Sequence, residues 1–221
     1  MIPLRVENPS ARFPFVTMII ISLNIVVFTY QLSLGTSEDI FIWKYSAVAR
    51  TLTTFIPVNS ASTLFPPLTL ITSLFLHGDL LHLLGNMLFL WVFAGNVEDK
   101  LGYIRFLLFY ILCGILSTAA QVATAPSSAF PMLGASGAIA GVMGAYFLRF
   151  PRTRVRTLII VFFFIRVVRL PALLFLGIWF IFQVLVGAPT IGSDQGGVAY
   201  FAHIGGFLCG MILFKVMEKY K

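Results

Sequence analysis

Residues 149–169 read RFPRTRVRTLIIVFFFIRVVR, and the topology of the whole chain depends on how this stretch is interpreted. Arginines bracket an apolar run from Thr157 to Ile165, which is far shorter than the about 20 residues that a spanning helix needs. We interpret the run as a segment that lies at the membrane interface or folds against a helical bundle, with its arginines at headgroup level. A crossing here would place arginines on both faces of the membrane.

The composition of the chain is that of a membrane protein. Hydrophobic residues make up 59% of the 221 residues and charged residues 10%. A soluble domain is about half apolar and about a quarter charged. The net charge of +7 does not indicate nucleic acid, because the basic residues lie in short segments between apolar runs. We therefore expect lipid, and no nucleic acid, around this protein.

Six apolar segments are long enough to cross a bilayer as helices. They lie near residues 15–34, 80–97, 106–124, 133–150, 170–188 and 198–217. The sequence thus predicts an all-α polytopic membrane protein, with one membrane-embedded domain over 1–221 and a bundle of six transmembrane helices. The first segment is longer than the apolar core of a signal peptide and lacks a clear cleavage site, so we expect it to remain as an anchor.

The distribution of basic residues supports six crossings with both termini in the cytoplasm. The inner segments are then 1–14, 97–105, 149–169 and the C-terminal end. Every lysine and arginine except Lys44 and Arg50 falls on this inner side, as the positive-inside rule requires. The long outer connection, 35–79, is predicted either to be partly embedded in the outer leaflet or to form a plain exposed loop.

Two polar residues stand near the outer ends of predicted spans. Ser136 lies in Gly134-Ala135-Ser136-Gly137 at the start of the fourth span, and His203 lies about one turn into the sixth. A histidine can take the proton of a serine hydroxyl and so make it a nucleophile. The alternatives are a helix N-cap for Ser136 and a bond to a neighbouring carbonyl for His203. On the serine motif alone, the N-cap is the simpler explanation.

Topology favours an encounter between Ser136 and His203. Both spans enter from the outer side, so the two side chains lie at similar depth on one side of the membrane. Both spans also carry small residues that allow two helix backbones to approach closely. These are Gly137, Gly141, Gly144 and Ala145 in one span and Ala202, Gly206 and Gly210 in the other. Close approach permits a Ser–His hydrogen bond, although ordinary tight packing produces the same pattern.

A third polar group, His77-x4-His82-x3-Asn86, enters the second span from the same side. His82 and Asn86 are four residues apart and share a helix face. They fit donors to an oxyanion or interhelical hydrogen bonds. A metal site formed by the three histidines is a further alternative, but Asp79 is the one nearby carboxylate. Beside a Ser–His pair we favour oxyanion stabilisation.

The cysteines give no reason to expect a cofactor. Cys113 and Cys209 lie inside apolar runs, which suits small buried side chains. Two cysteines cannot form a disulfide framework or a four-cysteine zinc site. We expect neither a metal nor a cofactor.

The three motifs, in this order and on these spans, resemble the rhomboid family of intramembrane serine proteases, over nearly the whole chain after about residue 15. The resemblance implies cleavage of single-span membrane proteins near the outer membrane face. It implies Ser136 as nucleophile and His203 as general base in a Ser–His dyad. It further implies that His82 and Asn86, with the Ser136 backbone N–H, stabilise the oxyanion.

The resemblance also assigns secondary roles. Glu98 matches a structural glutamate after the second span, and Ser117 and Gln121 loosely match polar residues that supply water behind the site. The glycine-rich segment 187–199 resembles a capping loop, and the fifth span is the implied side of substrate entry.

Two positions depart from the family pattern. Some members place an aromatic residue four positions after the serine, where it stacks on the catalytic histidine, but this chain has Ala140. The sequence shows no acidic residue placed to orient His203 either, so what braces that ring stays open. The family often has a Trp-Arg pair in the outer loop, and Trp43-Lys44 is not its equivalent, which leaves the anchoring of that loop open.

Two other functions fit a polytopic bundle: a non-catalytic rhomboid-like scaffold that binds membrane helices, and a small transporter. Scaffolds of this kind typically lose the serine or the histidine, and both are present here. A transporter would spread ionisable residues across the membrane depth, whereas here they cluster in the outer half. We therefore predict a protease in a prokaryotic plasma membrane, with an organellar inner membrane as the alternative, and with transmembrane protein substrates and the lipid bilayer as partners.

Overall fold

The computed structural model describes residues 1–62, 64–161, 163–192 and 197–218. The helices are α1 (Phe15–Ser33), α2 (Glu38–Tyr45), α3 (Ala49–Thr54), α4 (Pro66–Thr72), α5 (Leu80–Leu101), α6 (Tyr103–Thr124), α7 (Ser136–Arg149), α8 (Ala172–Gly187) and α9 (Tyr200–Met217). The strands are β1 (Ile2–Val6), β2 (Ala47–Val48), β3 (Pro131–Met132), β4 (Arg154–Val161) and β5 (Phe164–Pro171). A mostly helical fold is thereby confirmed.

Five of the described helices are long and apolar enough to cross a membrane, namely α1, α5, α6, α8 and α9. The predicted fourth span, 133–150, is instead the 14-residue helix α7. At about 1.5 Å per residue, α7 is about 21 Å long, which is shorter than the roughly 30 Å hydrocarbon core. Its residues from Gly137 to Tyr146 are all buried, because α5, α6, α8 and α9 pack around it. Six crossings therefore stay a prediction.

The arginine-rich stretch 149–169 contributes most of a β-hairpin, so the prediction of an all-α fold is wrong in this region. β4 and β5 pair antiparallel, and β1 pairs with the other edge of β4. The physical reason is a run of β-branched residues with alternating burial: Val155 and Thr157 are buried, whereas Arg154 is exposed and Arg156 half-exposed. Since Val155 belongs to the hydrophobic core, the stretch does fold against the bundle.

The amino-terminal segment lies on the same side of the bundle as this hairpin. The Glu7 carboxylate accepts hydrogen bonds from the Nε of Arg156 and contacts the Nε of Arg169, each at 3.2 Å. The Tyr146 hydroxyl, near the end of α7, donates to the Asn8 side chain at 2.6 Å. These contacts join two segments that the basic-residue pattern assigned to one face of the membrane.

Glu98 holds the start of α1. Its buried carboxylate accepts the backbone N–H of Val16 at 2.8 Å, the N–H of Thr17 at 2.9 Å and the Thr17 hydroxyl at 2.5 Å. Negative charge stabilises a helix N-terminus, where N–H groups lack partners within the helix. The structural role implied for Glu98 therefore has a physical basis in the capping of α1.

The outer connection 35–79 folds into short elements. It contains α2, α3, α4 and β2, and β2 pairs antiparallel with β3, with Ala47 opposite Met132. Trp43 is half-buried, whereas Phe55 and Phe65 are each 59% exposed. Because β3 shortly precedes α7, this pairing ties the outer connection to the segment that leads into Ser136.

Candidate active site

Ser136 and His203 are in hydrogen-bond contact. The Ser136 Oγ, at the first residue of α7, lies 2.9 Å from the Nε2 of His203, in the first turn of α9. Ala135, not Ser136, occupies the N-cap position of α7, and no side chain caps that helix. The N-cap explanation of Ser136 is therefore wrong, and its hydroxyl is free to interact with the imidazole.

Glycines bring α7 and α9 into backbone contact. A Cβ added at Gly206 would press against the carbonyl of Gly137, and one at Gly210 would lie 2.5 Å from the Cα and the carbonyl carbon of Gly141. Side chains larger than hydrogen do not fit at these crossings. The predicted small-residue faces thus meet, and their contact sets the distance between the serine and the histidine.

The other edge of the His203 ring is held from α8. Its Nδ1 lies 2.7 Å from the Oε1 of Gln183, and the Trp179 ring lies 5.9 Å away between centroids, tilted by 39°. Sequence reasoning missed both residues. A signal for Gln183 was present, because it is the one amide in the α8 sequence ALLFLGIWFIFQVLVG, and an amide within a spanning helix is a functional candidate.

His82 and Asn86 lie beside the loop that leads into Ser136. Gly134 has a φ of 119°, which favours glycine, and a Cβ there would lie 2.8 Å from the Nε2 of His82 and 3.6 Å from the Nδ2 of Asn86. Asp79 caps α5 by accepting the backbone N–H of His82 at 2.8 Å. The structure therefore brings the imidazole and the amide to the backbone next to the serine.

Asn86 is oriented in turn by His77 and α1. Its Nδ2 lies 3.0 Å from the Nε2 of His77. The side-chain amide of Gln31 donates to the His77 carbonyl at 3.0 Å and accepts the His77 N–H at 3.2 Å. Burial, and secondarily the nearby His82 ring, lower the pKa of His77 to about 4. His77 is therefore neutral at pH 7 and can accept an N–H of Asn86.

Ser117 and Gln121 both bond to backbone groups. The Ser117 hydroxyl donates to the Gly114 carbonyl at 2.7 Å, within its own helix. The Gln121 Oε1 accepts the N–H groups of Phe201 at 3.0 Å and Ala202 at 3.2 Å. Gln121 thus caps the turn of α9 that carries His203, and the implied water-supplying role stays a prediction.

The segment predicted to cover the site, 187–199, is described except for 193–196, which lie outside the described residues. Residues 188–190 form a 3₁₀ turn after α8, and the Gly192 N–H donates to the Thr124 carbonyl at the end of α6. The capping role stays a prediction.

Within the described ranges, no group of three or more His, Cys, Asp or Glu side chains is arranged to hold a metal ion. The rings of His77 and His82 lie 5.0 Å apart, but the Nε2 of His77 is engaged by Asn86. Cys113 and Cys209 are free thiols.

The comparisons with known proteins all indicate the same family. The Rhomboid domain model matches residues 66–219, more than half of the chain. The chain is 31% identical over 177 residues to the presenilin-associated rhomboid-like protein, mitochondrial, of Bos taurus, covering 77% of this chain and 43% of the relative. It is 30% identical over 199 residues to the Homo sapiens protein of that name, covering 87% of this chain and 45% of the relative.

A bacterial relative matches a shorter part. The putative rhomboid protease YdcA of Bacillus subtilis is 42% identical over 77 residues, covering 35% of this chain and 38% of the relative. The chain spans less than half the length of all three relatives. The predicted prokaryotic plasma membrane is not supported, because the relatives matched over most of this chain are mitochondrial.

Proposed function

Because this chain belongs to the rhomboid family of integral membrane proteins, we propose that it is an intramembrane serine endopeptidase. Relatives named as rhomboid proteases support a protease-type function. The observation that carries the proposal is the 2.9 Å contact between the Ser136 Oγ and the His203 Nε2. The proposed substrates are single-span membrane proteins, cleaved near the outer membrane face.

Ser136 and His203 perform the covalent chemistry. As the Ser136 Oγ bonds to the scissile carbonyl carbon, its proton passes to the Nε2 of His203. The resulting imidazolium gives that proton to the leaving amine as the C–N bond breaks. A water molecule, deprotonated by the same imidazole, then hydrolyses the acyl-enzyme and restores the serine.

His82 and Asn86 stabilise the charge that develops on the carbonyl oxygen. Their position beside residues 134–136 supports this role, together with the backbone N–H at the start of α7. Asn86 is held in place by His77, so its amide is oriented before the substrate arrives.

We propose substrate entry beside α8, the helix at the edge of the bundle that packs mainly on α9 and α7. We also propose six crossings with both termini on the inner face of the membrane, the face that carries the arginines of 149–169. Single cysteines are introduced into a variant without Cys113 and Cys209. Ser60→Cys should react with a membrane-impermeant maleimide added on the outer side of the membrane, whereas Ala11→Cys should not. Labelling of both positions from outside would refute this topology.

The scaffold alternative is not favoured, because the chain retains a serine and a histidine in hydrogen-bond contact. A transporter is disfavoured since the side-chain contacts of His77 and His203 lie around one site rather than along a path.

The decisive experiment is cleavage of a fluorescent single-span substrate by purified protein in liposomes. Ser136→Ala and His203→Ala should abolish cleavage and labelling by a mechanism-based serine probe. Ser33→Ala, an exposed serine whose hydroxyl donates to the Tyr30 carbonyl of its own helix, is the matched control and should behave as wild type. Cleavage that survives Ser136→Ala would overturn the mechanism.

A further inference from the structure

We propose that Gln183 is a positioning residue for the catalytic dyad: its amide oxygen accepts the Nδ1–H of His203 and keeps the Nε2 directed at Ser136. The proposal rests on the proposed protease function and adds a third member to the site. Gln183 lies in α8, a helix that carries none of the sequence motifs by which the dyad was recognised.

The contacts of the imidazole select its tautomer. A neutral imidazole carries one ring hydrogen, so one nitrogen donates while the other accepts. The Nε2, 2.9 Å from the Ser136 Oγ, has to accept the hydroxyl proton, which leaves the hydrogen on Nδ1. The Gln183 Oε1 lies 2.7 Å from Nδ1 and is the acceptor that favours this form.

Burial makes this contact persistent. Gln183 is only 6% exposed and lies in an otherwise apolar helix, where an amide without a partner is costly. Trp179 is one turn earlier on the same face of α8, and its ring packs on both His203 and Phe207. One helix thus supplies both the hydrogen-bond acceptor and the aromatic contact for His203. Trp179 makes the ring contact that an aromatic residue at position 140 makes in some family members, where this chain has Ala140.

Loss of Gln183 should lower kcat because His203 is no longer held in the correct orientation. The amide is neutral, so it adds no charge to the site and acts only through the direction and tautomer of His203. Its replacement by a side chain of similar length without a strong acceptor should lower kcat about 10-fold to 100-fold, with KM unchanged, because a buried N–H loses its partner.

The kinetic test compares three variants in liposomes. Gln183→Met keeps the length of the side chain but replaces the amide oxygen by a thioether, which is only a weak acceptor, and should show the loss of kcat. Gln183→Glu keeps an acceptor oxygen, and should retain more activity than the methionine variant. Leu108→Met, a position in α6 that is 53% exposed and outside the proposed entry helix, is the control and should leave kcat and KM unchanged.

The spectroscopic test reports on the ring itself. The chain has three histidines, so the ¹⁵N imidazole signal of His203 can be assigned as the one lost in His203→Ala. Wild type should show the Nδ1–H tautomer, and Gln183→Met should shift the signal towards Nε2–H. An unchanged tautomer in Gln183→Met overturns the proposal, whether kcat falls or not, because a fall alone indicates a merely structural role.

The protease proposal and the Gln183 proposal can be refuted independently of each other. Cleavage by Ser136→Ala would refute the protease mechanism, whereas the ¹⁵N signal of His203 would still show whether Gln183 holds the ring.

Discussion

Replacing Gly210 by alanine should move α7 and α9 apart and weaken catalysis without changing a catalytic group. The new Cβ would lie 2.5 Å from two backbone atoms of Gly141, about 1 Å closer than the roughly 3.5 Å that non-bonded carbons need. Backbone cannot rotate away, so the helices have to separate by on the order of 1 Å. Added to the 2.9 Å between Ser136 and His203, this displacement exceeds the range of a hydrogen bond.

A displacement of about 1 Å in a catalytic contact can cost about 10²-fold in rate. We therefore expect kcat of Gly210→Ala to fall about 10²-fold in the liposome assay, and labelling of Ser136 by the serine probe to slow in parallel. Overpacking costs about 1–3 kcal/mol, and the better helix propensity of alanine returns up to about 1 kcal/mol. The melting temperature should fall only modestly, so the variant should remain folded.

Gly177→Ala is the matched control for this substitution. It lies in α8, where the nearest atom to an added Cβ is the Phe147 Cε2, at an ordinary contact distance of 3.8 Å. This variant should keep wild-type turnover. Full turnover in a folded Gly210→Ala protein would show that the spacing of α7 and α9 does not control the Ser136–His203 contact, and would refute the reasoning.

Three further predictions concern the supporting residues. Asn86→Ala should lower kcat by up to about 10²–10³-fold in the same assay, and unchanged turnover would leave Asn86 only an interhelical role. Because burial lowers the pKa of His77 to about 4, the unfolded chain binds a proton below about pH 6.5 that the folded chain excludes, so stability should fall from pH 6.5 to pH 4. In thermal melts this slope should be smaller in His77→Gln than in wild type, and equal slopes in the two proteins would contradict the assignment to His77. Glu98→Ala should lower the free energy of unfolding by about 1–3 kcal/mol because three donors lose their acceptor, and wild-type denaturation midpoints would argue against this.

The long helices could be predicted because lipid leaves a spanning backbone few alternatives. A segment in lipid has to satisfy its own hydrogen bonds over about 20 apolar residues, and that length is visible in the sequence. The predicted span 198–217 and the observed helix Tyr200–Met217 differ by two residues at one end. The predicted fourth span, 133–150, exceeds α7 by three residues at its start and one at its end, because protein surrounds α7 and its length need not match the bilayer.

The hairpin escaped prediction because its strongest signal is not local. The run from Thr157 to Ile165 is apolar at nearly every position, so the alternation that marks a half-buried strand is absent there. A weak period of two exists in Arg152, Arg154 and Arg156, just before the run. The strand that completes the sheet is β1, near the amino terminus, and no sequence pattern indicated that it pairs with β4.

The contact between Ser136 and His203 could be predicted because chemistry and topology coincide there, whereas the residues that support this pair were missed. Ser136 and His203 carry reactive groups, so they are recognised as functional candidates in the sequence. Three glutamines do not, yet each orients a part of the site from a different helix: Gln31 clamps His77, Gln121 caps the first turn of α9, and Gln183 bonds to His203. An amide can both donate and accept without ionising, and its burial costs less than that of a charge. Amides therefore give this Ser–His pair, inside an apolar bundle, the orientation that a carboxylate gives in a water-soluble triad.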